Sequence, residues 1–130
     1  MKILLIDDDA SLTTIFCSAL KQAGYETVSA ADGTSGIEAA KTQKPDMILL
    51  DQVLPDMQGN DVLKALKGDA LTKDIPVSLL SNFGQNELIE QAIQMGALDY
   101  ILKYQIEPAD LVTKVKQFEQ EKEARKTATD

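Results

Sequence analysis

Histidine is absent from this 130-residue chain. That excludes imidazole-ligated metal sites, Ser-His and Cys-His nucleophile pairs, and a phosphohistidine carried by the chain itself. Cysteine is nearly absent as well. Cys17 stands alone, so neither an internal disulfide nor a Cys-ligated zinc site can form, which fits a reducing compartment. Long apolar runs are missing too. The opening residues Met1 to Ile6 give way to Asp7-Asp8-Asp9 before an apolar segment of signal-peptide length is reached, and no later run has membrane-spanning length. A cytoplasmic protein without membrane contact is expected. Positive charge is scarce: 13 Lys plus Arg against 21 Asp plus Glu leave a formal charge of -8. Such a surface repels phosphate backbones, so direct binding to nucleic acid is not expected.

What is present is the composition of one ordinary globular domain, with 44% hydrophobic residues, 7 Gly and 4 Pro. Five short apolar runs (Ile3 to Ile6, Thr27 to Ala30, Met47 to Leu50, Pro76 to Leu80, Tyr100 to Leu102) alternate with five stretches of helical period. The first, third and fourth runs are apolar almost throughout, as in strands buried on both faces of a parallel sheet. Leu12, Ile15, Phe16, Ala19, Leu20 and Ala23 predict a first helix stopped by Gly24, and Ile37 and Ala40 a second that ends before Lys44-Pro45. Val62, Leu63 and Leu66 mark a third. Leu88, Ile89, Ala92, Ile93 and Met95 mark a fourth, stopped by Gly96, and Leu111, Val112, Val115 and Phe118 a fifth that opens near Pro108. The pattern is (βα)5. With right-handed crossovers it predicts an α/β fold, a doubly wound parallel five-stranded sheet of flavodoxin-like order 2-1-3-4-5. Residues 1–118 form this domain, and 119–130 are a charged helix extension or tail without an apolar stripe.

Ligands of such sheets bind outside the carboxyl ends of the strands. Those ends read Asp7-Asp8-Asp9, Asp51, Ser81-Asn82 and Lys103 after the first, third, fourth and fifth strands. In the order 2-1-3-4-5 the first and third strands are neighbours, which presses Asp7, Asp8 and Asp51 together. Carboxylates so close raise one another's pKa unless a cation lies among them. Oxygen donors without nitrogen or sulfur favour a hard divalent ion, and Mg2+ keeps positions open for a phosphate. One carboxylate could then be a nucleophile that forms an acyl phosphate, with Lys103 offsetting charge and Ser81 donating a hydrogen bond to the transferring group.

With these residues in these places, the chain resembles the receiver domain of bacterial response regulators from Lys2 to Phe118. The family's acidic pair falls on Asp7 and Asp8, its phosphoacceptor on Asp51, its hydroxyl residue on Ser81 and its lysine on Lys103. Pro55 and Gly59 follow Asp51 at the family's spacing. The resemblance implies that Asp8 and Asp51 ligate Mg2+ directly, that Val53 adds its backbone carbonyl, and that Asp7 acts partly through water. It also implies that Ser81 and the aromatic Tyr100 form the switch, and that the donor is a sensor histidine kinase or a histidine phosphotransfer protein. The expected function is that of a stand-alone receiver acting on a downstream protein target, a switch that catalyses only its own phosphorylation and dephosphorylation. In the family the first helix meets the donor. Its small, neutral residues Ser11, Thr13, Thr14, Cys17 and Ser18 are therefore the expected docking face. Three features depart from the pattern. Tyr104 replaces the proline that usually follows the lysine at a cis peptide, Asn82 replaces a small residue, and Val53 and Phe83 put apolar flanks on the approach to Asp51.

Taken singly, these signals are ordinary. An acidic triplet after a strand is commonly a turn or helix cap, and Asp9 is expected to be a cap. Tyr100 could equally be a packing residue, and Cys17, off the apolar stripe, is expected to be an exposed bystander. It is the coincidence of residue types at the correct strand ends that favours a site. The alternative is a small haloacid-dehalogenase-like phosphatase with Asp7 as nucleophile, since Asp7-Asp8-Asp9 also fits an Asp-x-Asp motif. Such enzymes need a second acidic pair at a later strand end, and none follows Ser81.

Overall fold

The structure, a computed structural model, describes residues 1–82 and 85–129, without the side chains of 125–129. Five strands alternate with five helices: β1 Lys2–Ile6, α1 Ala10–Gln22, β2 Glu26–Ala30, α2 Gly33–Gln43, β3 Met47–Asp51, α3 Gly59–Lys67, β4 Val77–Ser81, α4 Asn86–Gln94, β5 Asp99–Leu102 and α5 Pro108–Thr129. All strand pairs are parallel, in the order β2-β1-β3-β4-β5. The doubly wound sheet expected from the alternation is the one observed.

Period-two alternation along the strands sends successive side chains to opposite faces. Leu4, Ile6, Ile48, Leu50 and Leu79 therefore pack against Ala40, Val62, Leu63, Leu66 and Ala92 of α2, α3 and α4. Ile3, Leu5, Met47, Leu49 and Ile101 meet Phe16, Leu20, Leu111 and Val115 of α1 and α5 on the other face. Burying one Leu or Ile contributes about 1.5–3 kcal/mol. The central strands β3 and β4 are buried at every position, whereas the edge strands β2 and β5 are not.

The helix ends follow local rules. Gly24 and Gly96, at φ 96° and 105°, come just after α1 and α4. Lys44 takes the left-handed C-cap of α2 at φ 49° because Pro45 bars continuation of the helix. Asp9 caps α1 as expected, accepting the Leu12 N–H at 3.1 Å.

Some boundaries and faces are corrected. The fourth strand begins at Val77 rather than Pro76, which has no N–H to give the ladder, although the Pro76 carbonyl still accepts from Ile48 at 2.9 Å. Ile15 is 50% exposed, while Cys17 packs partly buried on the second core cluster. At 100° per residue the buried stripe runs through Leu12, Phe16, Leu20 and Ala23, with Cys17 on its border; Ile15 lies on the opposite border, toward exposed Ser11 and Ser18. The charged segment after Phe118 continues α5. It folds against the body at its start, where Glu119 accepts from the Tyr25 hydroxyl at 3.1 Å and Lys122 lies 3.7 Å from Asp46.

Candidate functional site

Strand register brings the predicted residues to one rim. Ile6 is level with Leu50, Asp51 with Leu80, and Ser81 with Leu102. Asp7 and Lys103 therefore follow the outgoing ends of β1 and β5, while Asp51 and Ser81 are the last residues of β3 and β4. Lys103 Nζ lies 2.9 Å from Asp7 Oδ1 and 2.9 Å from Asp51 Oδ2, and all three residues are buried. Asp7 Oδ1 also accepts the Asp9 N–H at 2.8 Å. Asp8 is exposed on the solvent side.

One ammonium is shared between two buried carboxylates, which leaves an excess of negative charge. Burial pushes the Asp51 carboxyl up to about 6; the Lys103 hydrogen bond opposes that shift and the charge on Asp7 adds to it. Burial alone would lower the Lys103 pKa, but its hydrogen bonds to Asp51 and Asp7 outweigh burial and raise it. The two directions agree once the charges are counted: the lysine has two partners, whereas each carboxylate has half a lysine.

This arrangement suits a hard cation. Asp7, Asp8 and Asp51 each offer a carboxylate oxygen, all within 4.8 Å of one another. Asp7 Oδ2 is buried without a partner, and leaving such an oxygen unsatisfied costs about 1–3 kcal/mol. The donors are all oxygens, the set that Mg2+ prefers.

The loop beyond Asp51 is tied down at several points. Val53, 53% exposed, points its N–H at Asp51 Oδ1 from 3.4 Å and bridges to Gln58, while the Gly59 N–H donates to Gln52 O at 2.8 Å. A Cβ on Gly59 would run into the Asp51 carbonyl oxygen, so only glycine fits. Asp56 fastens the loop to the start of α2, accepting from Gly33 N at 2.8 Å and from Thr34 N and Oγ1 at 3.0 and 2.8 Å. The Gly33 and Thr34 amides hold its carboxyl down at about 2.

Ser81 is fully buried, and its hydroxyl donates to Gln85 Oε1 at 3.0 Å. Tyr100, 46% exposed, lines a groove of about 570 Å³ with Ile106, Asp110 and Lys114. No peptide among the described residues is cis. Phe83 lies outside the described residues.

Several residues at the site were not picked out by sequence. Tyr104 donates to Asp9 Oδ2 at 3.2 Å and carries Lys103 Nζ 5.3 Å from its ring centroid. Sequence marked it only as a departure. Gln52 Nε2 donates to Asn60 Oδ1 at 2.9 Å inside the protein, and Asn60 Nδ2 reaches Leu88 O of α4 at 3.1 Å. Gln85, Asp56 and this amide bridge have no motif or periodicity to mark them.

The sequence profile of the response regulator receiver domain matches residues 3–116. The chain belongs to this family. It is 37% identical over 115 residues to the phosphate regulon transcriptional regulatory protein PhoB of Klebsiella pneumoniae, covering 88% of this chain and 50% of that protein. It is 35% identical over 115 residues to the DNA-binding response regulator MtrA of Mycobacterium leprae, covering 88% and 49%. The chain thus spans about half the length of the curated relatives it matches. Among solved structures it resembles a CheY-like receiver domain protein from Methanospirillum hungatei, at 31% identity and a TM-score of 0.83, over 94% of this chain and 97% of that one. Receivers of two-component systems are signalling switches that depend on Mg2+ and interact with histidine kinases.

Proposed function

We propose that this receiver takes a phosphoryl group onto Asp51 from a phosphohistidine on a sensor kinase or histidine phosphotransfer protein, and signals through Ser81 and Tyr100. The observation that carries this reading is Lys103 held 2.9 Å from both Asp7 and Asp51 beside a cluster of three carboxylates with one orphan oxygen. Mg2+, held by Asp7, Asp8, Asp51 and the Val53 carbonyl, would supply positive charge beside the phosphoryl oxygens.

Asp51 is the nucleophile. Its Oδ forms the new P–O bond as the P–N bond of the donor breaks, and the bonding pair returns to the imidazole nitrogen. Lys103 moves from carboxylate to phosphoryl oxygen, and the Ser81 hydroxyl donates to a second oxygen. The donor approaches over α1, whose N-terminus is at the rim because the helix follows the carboxyl end of β1. Exposed Ser11, Thr14, Ile15 and Ser18, with half-buried Thr13 and Cys17 beside them, form the docking face. The haloacid-dehalogenase-like alternative has no second acidic pair at the rim, where Ser81 and Lys103 stand instead.

Incubation with Mg2+ and a small phosphodonor should add one phosphoryl group. Asp51→Asn should abolish labelling and Asp8→Asn should weaken it strongly. Labelling that persists in Asp51→Asn but vanishes in Asp7→Asn would favour the phosphatase. Ile15→Glu should slow transfer from a phosphohistidine donor and leave small-donor labelling intact; equal loss on both routes would refute the docking face.

A further inference from the structure

The backbone of Ser81 is pinned between its neighbours. Its carbonyl accepts from Lys103 N at 2.9 Å, and the preceding carbonyl, on Leu80, accepts from Gln52 N at 3.0 Å. What can still turn is the hydroxyl. It donates to Gln85 Oε1 at 3.0 Å, with Asn82 O a longer acceptor at 3.2 Å. The same Gln85 oxygen accepts the Asn82 N–H at 2.8 Å. A backbone N–H can only donate, so the atom facing it is the amide oxygen, and Ser81 must be the donor of its own bond to Gln85.

Gln85 is oddly employed. It holds the N-cap position of α4, yet its side chain caps none of that helix's amides and turns back to the end of β4 instead. A hydroxyl has one proton. Ser81 cannot give it to Gln85 and to a phosphoryl oxygen at the same time.

We propose that Gln85 is a positioning residue that holds the Ser81 hydroxyl in a resting orientation, and that phosphoryl capture at Asp51 must displace it. The inference rests on the reading of Asp51 as phosphoacceptor with Ser81 as a phosphoryl donor group. Displacement frees the Gln85 amide at the mouth of α4, so capture of the phosphoryl group and the conformation of that helix end share one equilibrium.

The test is the Mg2+-dependent affinity of the full chain for beryllofluoride, a phosphoryl mimic, measured by calorimetry. Gln85→Met keeps the length of the side chain and removes the acceptor. It should bind roughly three- to tenfold tighter than wild type, the range that the loss of one competing hydrogen bond allows. Gln85→Ala should act in the same direction and serves if the Met variant folds poorly. In a Ser81→Ala background the gain should vanish, because the two effects are coupled through one proton. A side chain with a merely structural role would leave affinity unchanged or weakened. Unchanged or weaker binding in both Gln85 variants, or a gain that persists without the Ser81 hydroxyl, overturns the latch. A wild-type chain that binds no beryllofluoride overturns the phosphoacceptor reading itself, and the latch with it.

Discussion

The two ends of the sheet use the same residue types to opposite purposes. At the carboxyl ends Lys103 lies buried between Asp7 and Asp51, outnumbered, beside an oxygen with no partner. At the amino ends the Lys2 N–H donates to Asp46 at 2.7 Å, Lys2 Nζ lies 3.5 Å from Glu26, and Lys122 lies 3.7 Å from Asp46, all partly in water. The amino end is close to electrically settled. The carboxyl end stays short of positive charge, and that shortage is what the Mg2+ of the proposed function would relieve.

The largest effect that separates the two ends should come from removing their lysines. Lys103→Met leaves two buried carboxylates without a counter-ion and should cost about 3–5 kcal/mol of stability at neutral pH. Lys122→Met breaks an exposed pair and should cost less than about 1 kcal/mol. Denaturant midpoints would measure both, and equal losses would erase the distinction.

The next effect is a pH dependence confined to the carboxyl end. Asp51 holds its proton more tightly folded than unfolded, since its carboxyl is raised from 3.8 to about 6. Its protonation therefore favours the fold below a pH of about 4, and this contribution is lost as pH rises through about 6. Asp51→Asn has no such proton to lose. It should be more stable than wild type by about 1–3 kcal/mol near pH 8, and the gap should close below a pH of about 4. A gap that does not change with pH would show that Asp51 is not strained by burial.

A smaller effect sharpens the comparison within the site. Hydrolysis of an aspartyl phosphate needs a water aligned with the P–O bond, and the exposed Val53 beside Asp51 offers that water no hydrogen bond. The phosphorylated state should decay slowly. Val53→Asn should hasten decay about tenfold, which corresponds to about 1.4 kcal/mol in the barrier. Decay after donor removal is the measurement, and an unchanged rate would mean that another group positions the water.

Much of this was legible in the sequence because burial leaves a mark there. β1, β3 and β4 are buried on both faces and read as uninterrupted apolar runs, and the residues at which those runs stop are the ones that meet at the rim. The rotation of α1 was not legible. Leu12, Ile15, Phe16, Ala19, Leu20 and Ala23 make an apolar stripe wider than the sheet and α5 can cover, and only packing decides that Ile15 is left out while Cys17 comes in. Asp56 and Tyr104 were invisible for another reason. Asp56 meets Gly33 and Thr34 across more than twenty residues, and Tyr104 meets Asp9 across ninety-five. A polar side chain with a distant partner looks in sequence like any solvated one.

Gly59 gives Asp51 an anvil. The first residue of α3 is pressed against the peptide carbonyl of Asp51 so closely that a methyl group would not fit between them. The peptide of Asp51 is also wedged in a strand with neighbours on both sides. Under the proposed function, a phosphoryl group on Asp51 could therefore not be accommodated by letting the main chain recoil inward. The added bulk and charge must be taken up on the outer side, by side chains that turn and loops that shift. A rigid backing of this kind converts a local bond into a displacement of the surface, which is the only part of the molecule a partner can read.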